Sequence, residues 1–191
     1  GVSTESGLPG EQAGSKEYYT MAKDSSVQAA MVYSSFGQGG RYTALQLAQY
    51  AATLATRGKR IQPQLVDKII SYNGETVYQL DENSPVVLNE VELPDAYWDL
   101  VQRGMERVTQ AGFDDFPYTL ASKTGTSETD VAGGRVENAT FIAYAPAENP
   151  RLAVAVVVPE GGYGARGAAP IAAEVFRAYD KAFGLAPSDE K

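Results

Sequence analysis

The C-terminal third of the chain carries the pattern that most restricts its fold. Seven consecutive apolar residues, 152–158, follow a short turn, 146–150, that contains two prolines. A second, mainly apolar segment, 139–145, precedes that turn. Because so short a connection can join only antiparallel neighbours, the two segments predict an antiparallel pair of strands. A continuous apolar run indicates a strand that is central in its sheet or covered on both faces, and we expect 152–158 to be such a strand.

Three segments have the apolar periodicity of helices that could cover this sheet. The first begins at Thr43, whose hydroxyl can form a capping box, and ends at Gly58. The second begins near Pro94 and runs to about Val108, and the third spans about 166–183. The apolar residues predicted to face the core are Leu45, Leu47, Ala48, Ala51, Ala52, Leu54 and Ala55 in the first helix, Tyr97, Leu100, Val101, Met105 and Val108 in the second, and Ile171, Val175, Phe176, Tyr179 and Phe183 in the third.

A hairpin and a third strand complete the predicted fold. Residues 65–70 and 76–80 flank Asn73-Gly74, a strong signal for a tight hairpin turn. Residues 119–126 form the third strand candidate, and the first forty residues are predicted to be turn-rich loops. The expected fold class is α+β, with an antiparallel sheet of three C-terminal strands, a separate hairpin, and helices that cover the sheet.

Composition excludes several kinds of function. The sequence contains no histidine and no cysteine, so a Ser-His-Asp or Cys-His mechanism and the usual zinc sites are impossible within this chain. A net charge of −8 argues against nonspecific binding to nucleic acid, since phosphate contacts require a basic surface. No apolar run approaches the roughly 20 residues of a membrane helix. We therefore expect no metal, no cofactor and no nucleic-acid partner, and acid–base chemistry by Lys, Asp, Glu or Tyr.

The run Lys123-Thr124-Gly125-Thr126 is the strongest candidate for a binding site. Side chains two apart in a strand share a face, so the hydroxyls of Thr124 and Thr126 can bind one small anion. Gly125 has no Cβ, which lets a ligand lie close to the main chain. Lys123 adds a flexible positive charge. These four residues predict a site for a carboxylate attached to a carbonyl compound, whereas the simpler interpretation is an exposed strand end.

Other motifs favour structural roles. Gly162-Tyr163-Gly164-Ala165-Arg166-Gly167 fits the dinucleotide-binding pattern G-x-G-x-x-G, but no parallel strand follows it, and a glycine-rich turn is the better interpretation. Asp114 and Asp115 are adjacent and point apart, so we expect a solvated loop and not a catalytic pair. Trp98 and Met105 are interpreted as packing residues.

Several segments, in order, resemble the transpeptidase domain of class B penicillin-binding proteins. They cover nearly the whole chain, and they are Gly7-Leu8-Pro9-Gly10-Glu11, Gly37-Gln38-Gly39 followed by Thr43-Ala44-Leu45-Gln46-Leu47-Ala48, Gly104-Met105, Lys123-Thr124-Gly125-Thr126-Ser127-Glu128, Phe141-Ile142-Ala143-Tyr144-Ala145-Pro146, and Ala168-Ala169-Pro170-Ile171-Ala172. The resemblance implies a partial transpeptidase fold and serine acyl transfer. In that chemistry a serine of S-x-x-K attacks the penultimate D-Ala carbonyl of a peptidoglycan stem peptide, and β-lactams trap the same serine.

Carried over by position, the resemblance implies a role for each residue of the run. Lys123 would attract the terminal carboxylate and belong to the proton-relay surroundings of the nucleophile. The hydroxyls of Thr124 and Thr126 would bind that carboxylate beside Gly125, and the N–H of Thr126 would be one oxyanion donor. Lys123 and Thr126 are thus the expected catalytic residues, and all four residues of the run are the expected substrate-binding residues.

The sequence departs from the family at the nucleophile. Its one S-x-x-K, Ser188-Asp189-Glu190-Lys191, is in a polar tail, and its one Ser-x-Asn, Ser71-Tyr72-Asn73, is in the hairpin turn. Thr20-Met21-Ala22-Lys23 has the spacing but lacks the serine. We therefore expect residues 1–191 to be the C-terminal portion of a single transpeptidase domain that cannot be acylated by itself.

The resemblance also implies partners and a location. The partners would be stem peptides ending in D-Ala-D-Ala, β-lactam antibiotics and the upstream half of the same domain. The parent would lie on the extracytoplasmic face of the bacterial membrane, held by an N-terminal anchor outside this chain. The alternative is a β-lactam sensor or noncatalytic penicillin-binding module of the same fold, and a carboxypeptidase or β-lactamase is a weaker option.

Overall fold

The computed structural model describes residues 9–12, 14, 26–38, 40–81, 83–108 and 112–185. In chain order its helices and strands are α1 (Val27–Ser35), α2 (Ala44–Ala55), β1 (Lys59–Ile61), β2 (Lys68–Ile70), β3 (Thr76–Gln79), β4 (Val87–Glu90), α3 (Asp95–Glu106), β5 (Ala121–Val131), β6 (Gly134–Ala145), β7 (Leu152–Val158), α4 (Gly164–Gly167) and α5 (Ala169–Phe183). The fold is α+β with antiparallel pairing throughout, as the sequence predicts.

The main sheet has three strands in the order β5-β6-β7. Both pairs are antiparallel, with Gly125 opposite Thr140 and Phe141 opposite Val156. Within the described residues β6 is therefore the central strand and β7 is an edge strand, so a central position for 152–158 is wrong. Coverage on both faces, the other expectation for this run, is observed, because α2 and α5 both pack against β7.

One face of the sheet packs against α5 through small residues. The side chains of Ala139, Phe141 and Ala143 meet Ala172 and Phe176 in the larger core cluster. The expected stripe on this helix is partly wrong: Phe176 is buried, but Ile171, Val175 and Phe183 are exposed. Alanines bring the helix main chain close to the sheet, and that closeness, more than side-chain size, decides which face is buried.

The opposite face packs against α2 and α3. Met105, Ala121 and Tyr144 form a second cluster, with Leu54 of α2 against it. Trp98 and Met105 are the buried side chains of α3, which confirms their packing role. The rest of the expected stripe, including Tyr97, Leu100 and Val101, is wrong in that these three side chains are exposed.

Helix α2 begins where the sequence predicts and ends earlier. Thr43 and Gln46 form both hydrogen bonds of a capping box. The helix ends at Ala55, and Arg57 adopts a left-handed φ of 53° before Gly58 at 105°. The expected apolar face is confirmed at Ala51, Leu54 and Ala55, but the other two buried positions are Gln46 and Gln49, which the prediction did not include. Gln49 lies in the interior because its Nε2 donates to the Ile61 carbonyl at 2.8 Å.

Several boundaries differ from the sequence-based expectation. The segment Val27–Ser35 is a helix, although we expected loops there, and the β1–β4 pair has no counterpart in the prediction. β5 and β6 extend past their predicted bounds to a turn at residues 132 and 133. The hairpin β2–β3 is shorter than predicted and turns at Asn73-Gly74. The motifs at 20–23 and 188–191 lie outside the described residues.

A membrane-crossing helix is not found in the described part of the chain: each helix there is too short or too polar to span a bilayer.

Candidate functional site

The run 123–126 lies in the first half of β5, at an edge of the sheet. In the described structure β5 pairs with β6 alone, so its second edge carries no strand. Ser122 links the start of this strand to the segment after α3: it is fully buried and donates a hydrogen bond to the Val108 carbonyl at 3.3 Å. The sequence alone does not indicate this role for Ser122, because its hydrogen bond depends on packing against the segment after α3.

The main chain of Thr124 and Thr126 faces the free edge of β5. Residues of an antiparallel strand point their N–H and C=O alternately toward and away from the partner. The carbonyl of Glu137, opposite Glu128, accepts from Gly162 outside the pair, and the carbonyl of Thr124 accepts from a lysine side chain. Both observations identify the even-numbered residues of β5 as those that do not bond to β6. We infer that the N–H of Thr126 is directed at the open edge.

The two threonine hydroxyls share one face of the strand, as the spacing predicts. They lie on the same side of the sheet as Ala139 and Phe141, their cross-strand neighbours, and both side chains are half-buried. Across the described residues neither hydroxyl donates to a protein acceptor, and Thr126 Oγ1 accepts from the N–H of Gly164 at 3.4 Å. Two hydroxyl protons without an acceptor, side by side, form a suitable donor pair for an anion.

Lys123 starts on the opposite face and reaches the same edge. Its side chain is exposed, and Nζ donates to the main-chain carbonyl of Thr124 at 2.7 Å. Within the described residues it forms no ion pair, so the ammonium group is not neutralised by a carboxylate. The lysine, the hydroxyls and the outward N–H groups therefore converge on one stretch of open strand.

Gly125 is not required by the protein's own packing. A Cβ at this position would meet the nearest atom, Cβ of Thr140, at 3.5 Å, which is an ordinary contact. Its φ is also outside the left-handed region. The absence of a side chain therefore leaves space beside the strand that no described residue fills.

A shallow cleft of about 410 Å³ opens farther along the same face of β5. It is lined by Tyr33, Phe36, Gln38, Glu128, Asp130 and Arg135. Arg135 forms ion pairs with Glu128 at 2.7 Å and with Asp130 at 3.1 Å, so its charge is balanced within the protein. The cleft does not include residues 123–126. The donor groups of residues 123–126 thus lie on the open strand next to the cleft and not inside it.

The remaining candidate motifs have structural roles. The turn of the G-x-G-x-x-G pattern packs on the sheet, where a Cβ on Gly164 or Gly167 would collide with main-chain oxygens. Asp114 and Asp115 are exposed in a loop, and a hydrogen bond from Arg177 holds the pKa of Asp115 below its usual value. Ser71 and Asn73 bond to each other and to Glu75 within the β2–β3 turn.

Comparison with known proteins places the chain in a family. The family "Penicillin binding protein transpeptidase domain" matches residues 1–178. Penicillin-binding protein 2A of Bacillus subtilis is 35% identical to the chain over 83% of its length, and the match covers 23% of that relative. The chain thus spans about a quarter of the length of this relative.

Solved structures show the same fold. Penicillin-binding protein 2B of Streptococcus pneumoniae strain R6 superposes with a TM-score of 0.78 and 31% identity, covering 98% of this chain and 32% of that one. Penicillin-binding protein A of Mycobacterium tuberculosis, solved as an imipenem acyl-enzyme complex, gives a TM-score of 0.65 and 31% identity over 78% of this chain and 34% of that one. On this combined evidence of sequence and fold, the chain belongs to the transpeptidase family of class B penicillin-binding proteins.

Proposed function

We propose that this chain is the C-terminal portion of a single transpeptidase domain and carries one wall of a serine D,D-transpeptidase site. The parent would cross-link peptidoglycan stem peptides and react with β-lactams. The observation that carries the proposal is the open edge of β5, where two hydroxyls, an unneutralised ammonium and outward main-chain groups adjoin one another. This arrangement suits a carboxylate bonded to a short acyl chain, which D-Ala-D-Ala and penicillins share.

Each residue of the run receives a role in this proposal. The hydroxyls of Thr124 and Thr126 donate to the substrate carboxylate, and Lys123 adds its charge and belongs to the proton-relay surroundings of the nucleophile. The N–H of Thr126 donates to the oxyanion that forms when the serine attacks, and loss of one such donor costs about 3 kcal/mol of transition-state stabilisation. Gly125 leaves space for the substrate to lie along the strand in extended form.

The nucleophile must come from outside the described site. The described residues contain no S-x-x-K motif, and the Ser-x-Asn at 71–73 lies in the separate hairpin. We propose that the upstream half of the same domain supplies both the S-x-x-K and the Ser-x-Asn elements. We further propose that the parent is held by an N-terminal anchor at the extracytoplasmic face of the bacterial membrane.

A β-lactam sensor or another noncatalytic penicillin-binding module is the second candidate. The two differ in what they do after acylation, because a transpeptidase passes the acyl group to an amine whereas a sensor retains it. The hairpin β2–β3 and the sequence Gly37-Gln38-Gly39 favour the synthase. Turnover of a D-Ala-D-Ala peptide with release of D-Ala would separate the two.

Intact-mass measurement after incubation with a β-lactam tests whether the nucleophile lies in the upstream half of the domain. We expect the isolated chain to show no adduct, since its residues bind a carboxylate but provide no nucleophile. A protein that includes the upstream half should gain the mass of one antibiotic molecule. A stable single adduct on the isolated chain would overturn the proposal that the nucleophile lies upstream.

A further inference from the structure

The turn between β7 and α5 lies directly against β5, the strand that carries residues 123–126, and it has no role in the proposed function. It contains Gly161, Gly164 and Gly167, and α4 begins at Gly164. Gly164 is buried, and a Cβ on it would lie 2.3 Å from the carbonyl oxygen of Gly125 and 2.4 Å from that of Thr140. Its φ is not left-handed. Closeness to β5, and not backbone conformation, therefore requires glycine here.

The approach brings a main-chain donor to the site. The N–H of Gly164 donates to Thr126 Oγ1 at 3.4 Å, across 38 residues of sequence. A hydroxyl has one proton and two lone pairs, and an amide N–H cannot accept. The bond therefore occupies a lone pair of Thr126 and leaves its proton to point away from α4. Within the described structure no protein acceptor takes that proton.

We propose that Gly164 is a positioning residue for carboxylate recognition, and that its N–H fixes the Thr126 hydroxyl as a donor toward the open edge of β5. This inference rests on the proposed function and deepens it. A donor already oriented by the protein needs no reordering when the anion binds, so affinity and rate both gain. The close packing of Gly164 on Gly125 and Thr140 holds the N–H in place.

A double-mutant cycle in the parent protein tests this proposal. The variants are Gly164→Ala, Thr126→Val and the two combined, and the measured quantity is the second-order rate constant of acylation by a penicillin. Each single variant should lower it about tenfold or more, the effect of one hydrogen bond to a charged group. The combined variant should be no slower than Thr126→Val, since Gly164 acts through that hydroxyl.

A second substrate separates positioning from general damage. Gly164→Ala should slow the reaction of the penicillin methyl ester by a clearly smaller factor than that of the acid, because the ester has no carboxylate for the Thr126 hydroxyl to bind. Gly104→Ala is the matched control, since α3 leaves open space around that position. If the losses of acylation rate were additive in the cycle, or equal for acid and ester, the positioning role of Gly164 would be wrong and the proposed function would stand. A full acylation rate in Thr126→Val would instead overturn the proposed function and the inference together.

Hydrogen exchange provides a readout that needs no alanine at 164. In this chain the amide proton of Gly164 should exchange slowly in the unaltered protein and in Thr126→Ser, which retains the hydroxyl. In Thr126→Val it should exchange at least about tenfold faster. Equal protection in all three proteins would show that the hydroxyl does not hold this N–H, and the proposal would fall.

Discussion

Among single residues, Gly125 is the position at which we expect a substitution to affect ligand binding but not folding. Its would-be Cβ meets Thr140 at an ordinary 3.5 Å, so Gly125→Ala should leave the free energy of unfolding unchanged or raise it by about 0.5–1 kcal/mol. The added methyl group occupies space beside the strand that we assign to the substrate. Acylation of the parent by penicillin should therefore slow about tenfold or more.

The paired measurement is denaturant unfolding of the chain and acylation kinetics of the parent. If Gly125→Ala destabilised the chain and left acylation intact, glycine would be needed for folding, and the space would have no role in binding.

The raised pKa of Tyr118 leads us to expect that the stability of the fold decreases at alkaline pH. Burial, with repulsion from Asp180 and Asp115 that outweighs attraction by Arg177, raises the pKa of Tyr118 to about 12. An unfolded tyrosine ionises near pH 10, so between about pH 10 and 12 the unfolded chain has lost a proton that the folded chain keeps. Stability should be unaffected by this group below pH 10 and should fall as the pH rises toward 12.

Tyr118→Phe should weaken that alkaline loss of stability, as measured by the denaturant midpoint at several pH values. Tyr163→Phe, which removes the same hydroxyl from an exposed tyrosine, is the matched substitution for comparison. The same midpoint shift with pH in Tyr118→Phe and the unaltered chain would contradict the assignment.

The four candidate residues of the site could be selected from sequence, whereas the residues that contact them could not. The alternation of a strand is enough to place Thr124 and Thr126 on one face, and the structure agrees. The contacts of Ser122 and Gly164 depend on segments 14 and 38 residues away in sequence. Local pattern contains no information on such contacts. The glycine pattern at 162–167 could have signalled a close approach of two main chains, though not the strand it approaches.

At the scale of elements, the packing of α5 predicts unequal costs for two phenylalanines. Phe176 is 0% exposed between the sheet and Phe113, whereas Phe183 is 68% exposed. Phe176→Ala should lower the free energy of unfolding by about 3–5 kcal/mol, through lost contacts and the cavity left behind. Phe183→Ala should change it by no more than about 0.5 kcal/mol. Denaturant unfolding of both variants provides the comparison, and similar losses would mean that α5 is packed differently.

Element types were predicted well where the apolar pattern is strong, and faces were predicted poorly. The bounds of β7 match the apolar run 152–158, and the capping box fixes the start of α2. A prediction from periodicity assigns the large apolar side chains to the buried face of a helix. In the structure, α5 buries mainly alanines and α2 buries two glutamines. The sequence analysis did not predict helix α1. None of its nine residues is buried within the described structure, so its sequence lacks the apolar face by which a helix is recognised.

For the molecule as a whole, we propose that the chain forms one side of an active site. It covers 23% and 32% of two of the relatives described above, and its candidate site lies on a strand that has an open edge in the described structure. A substrate on that edge would contact the donors described above from one side only. In our proposal the upstream half supplies the nucleophilic serine from the other side, and no histidine is needed in this chain.

The most direct test of the account is the acylation rate of a parent protein that carries Thr124→Val and Thr126→Val together. Thr76→Val, in the distant hairpin, is the matched control. Removal of two hydrogen bonds to a carboxylate should lower the second-order rate constant for penicillin by about 100-fold, while the control keeps the rate of the unaltered protein. If the double variant, with its melting temperature unchanged, were acylated as fast as the control, the hydroxyls of β5 would not bind the carboxylate and the central claim would be wrong.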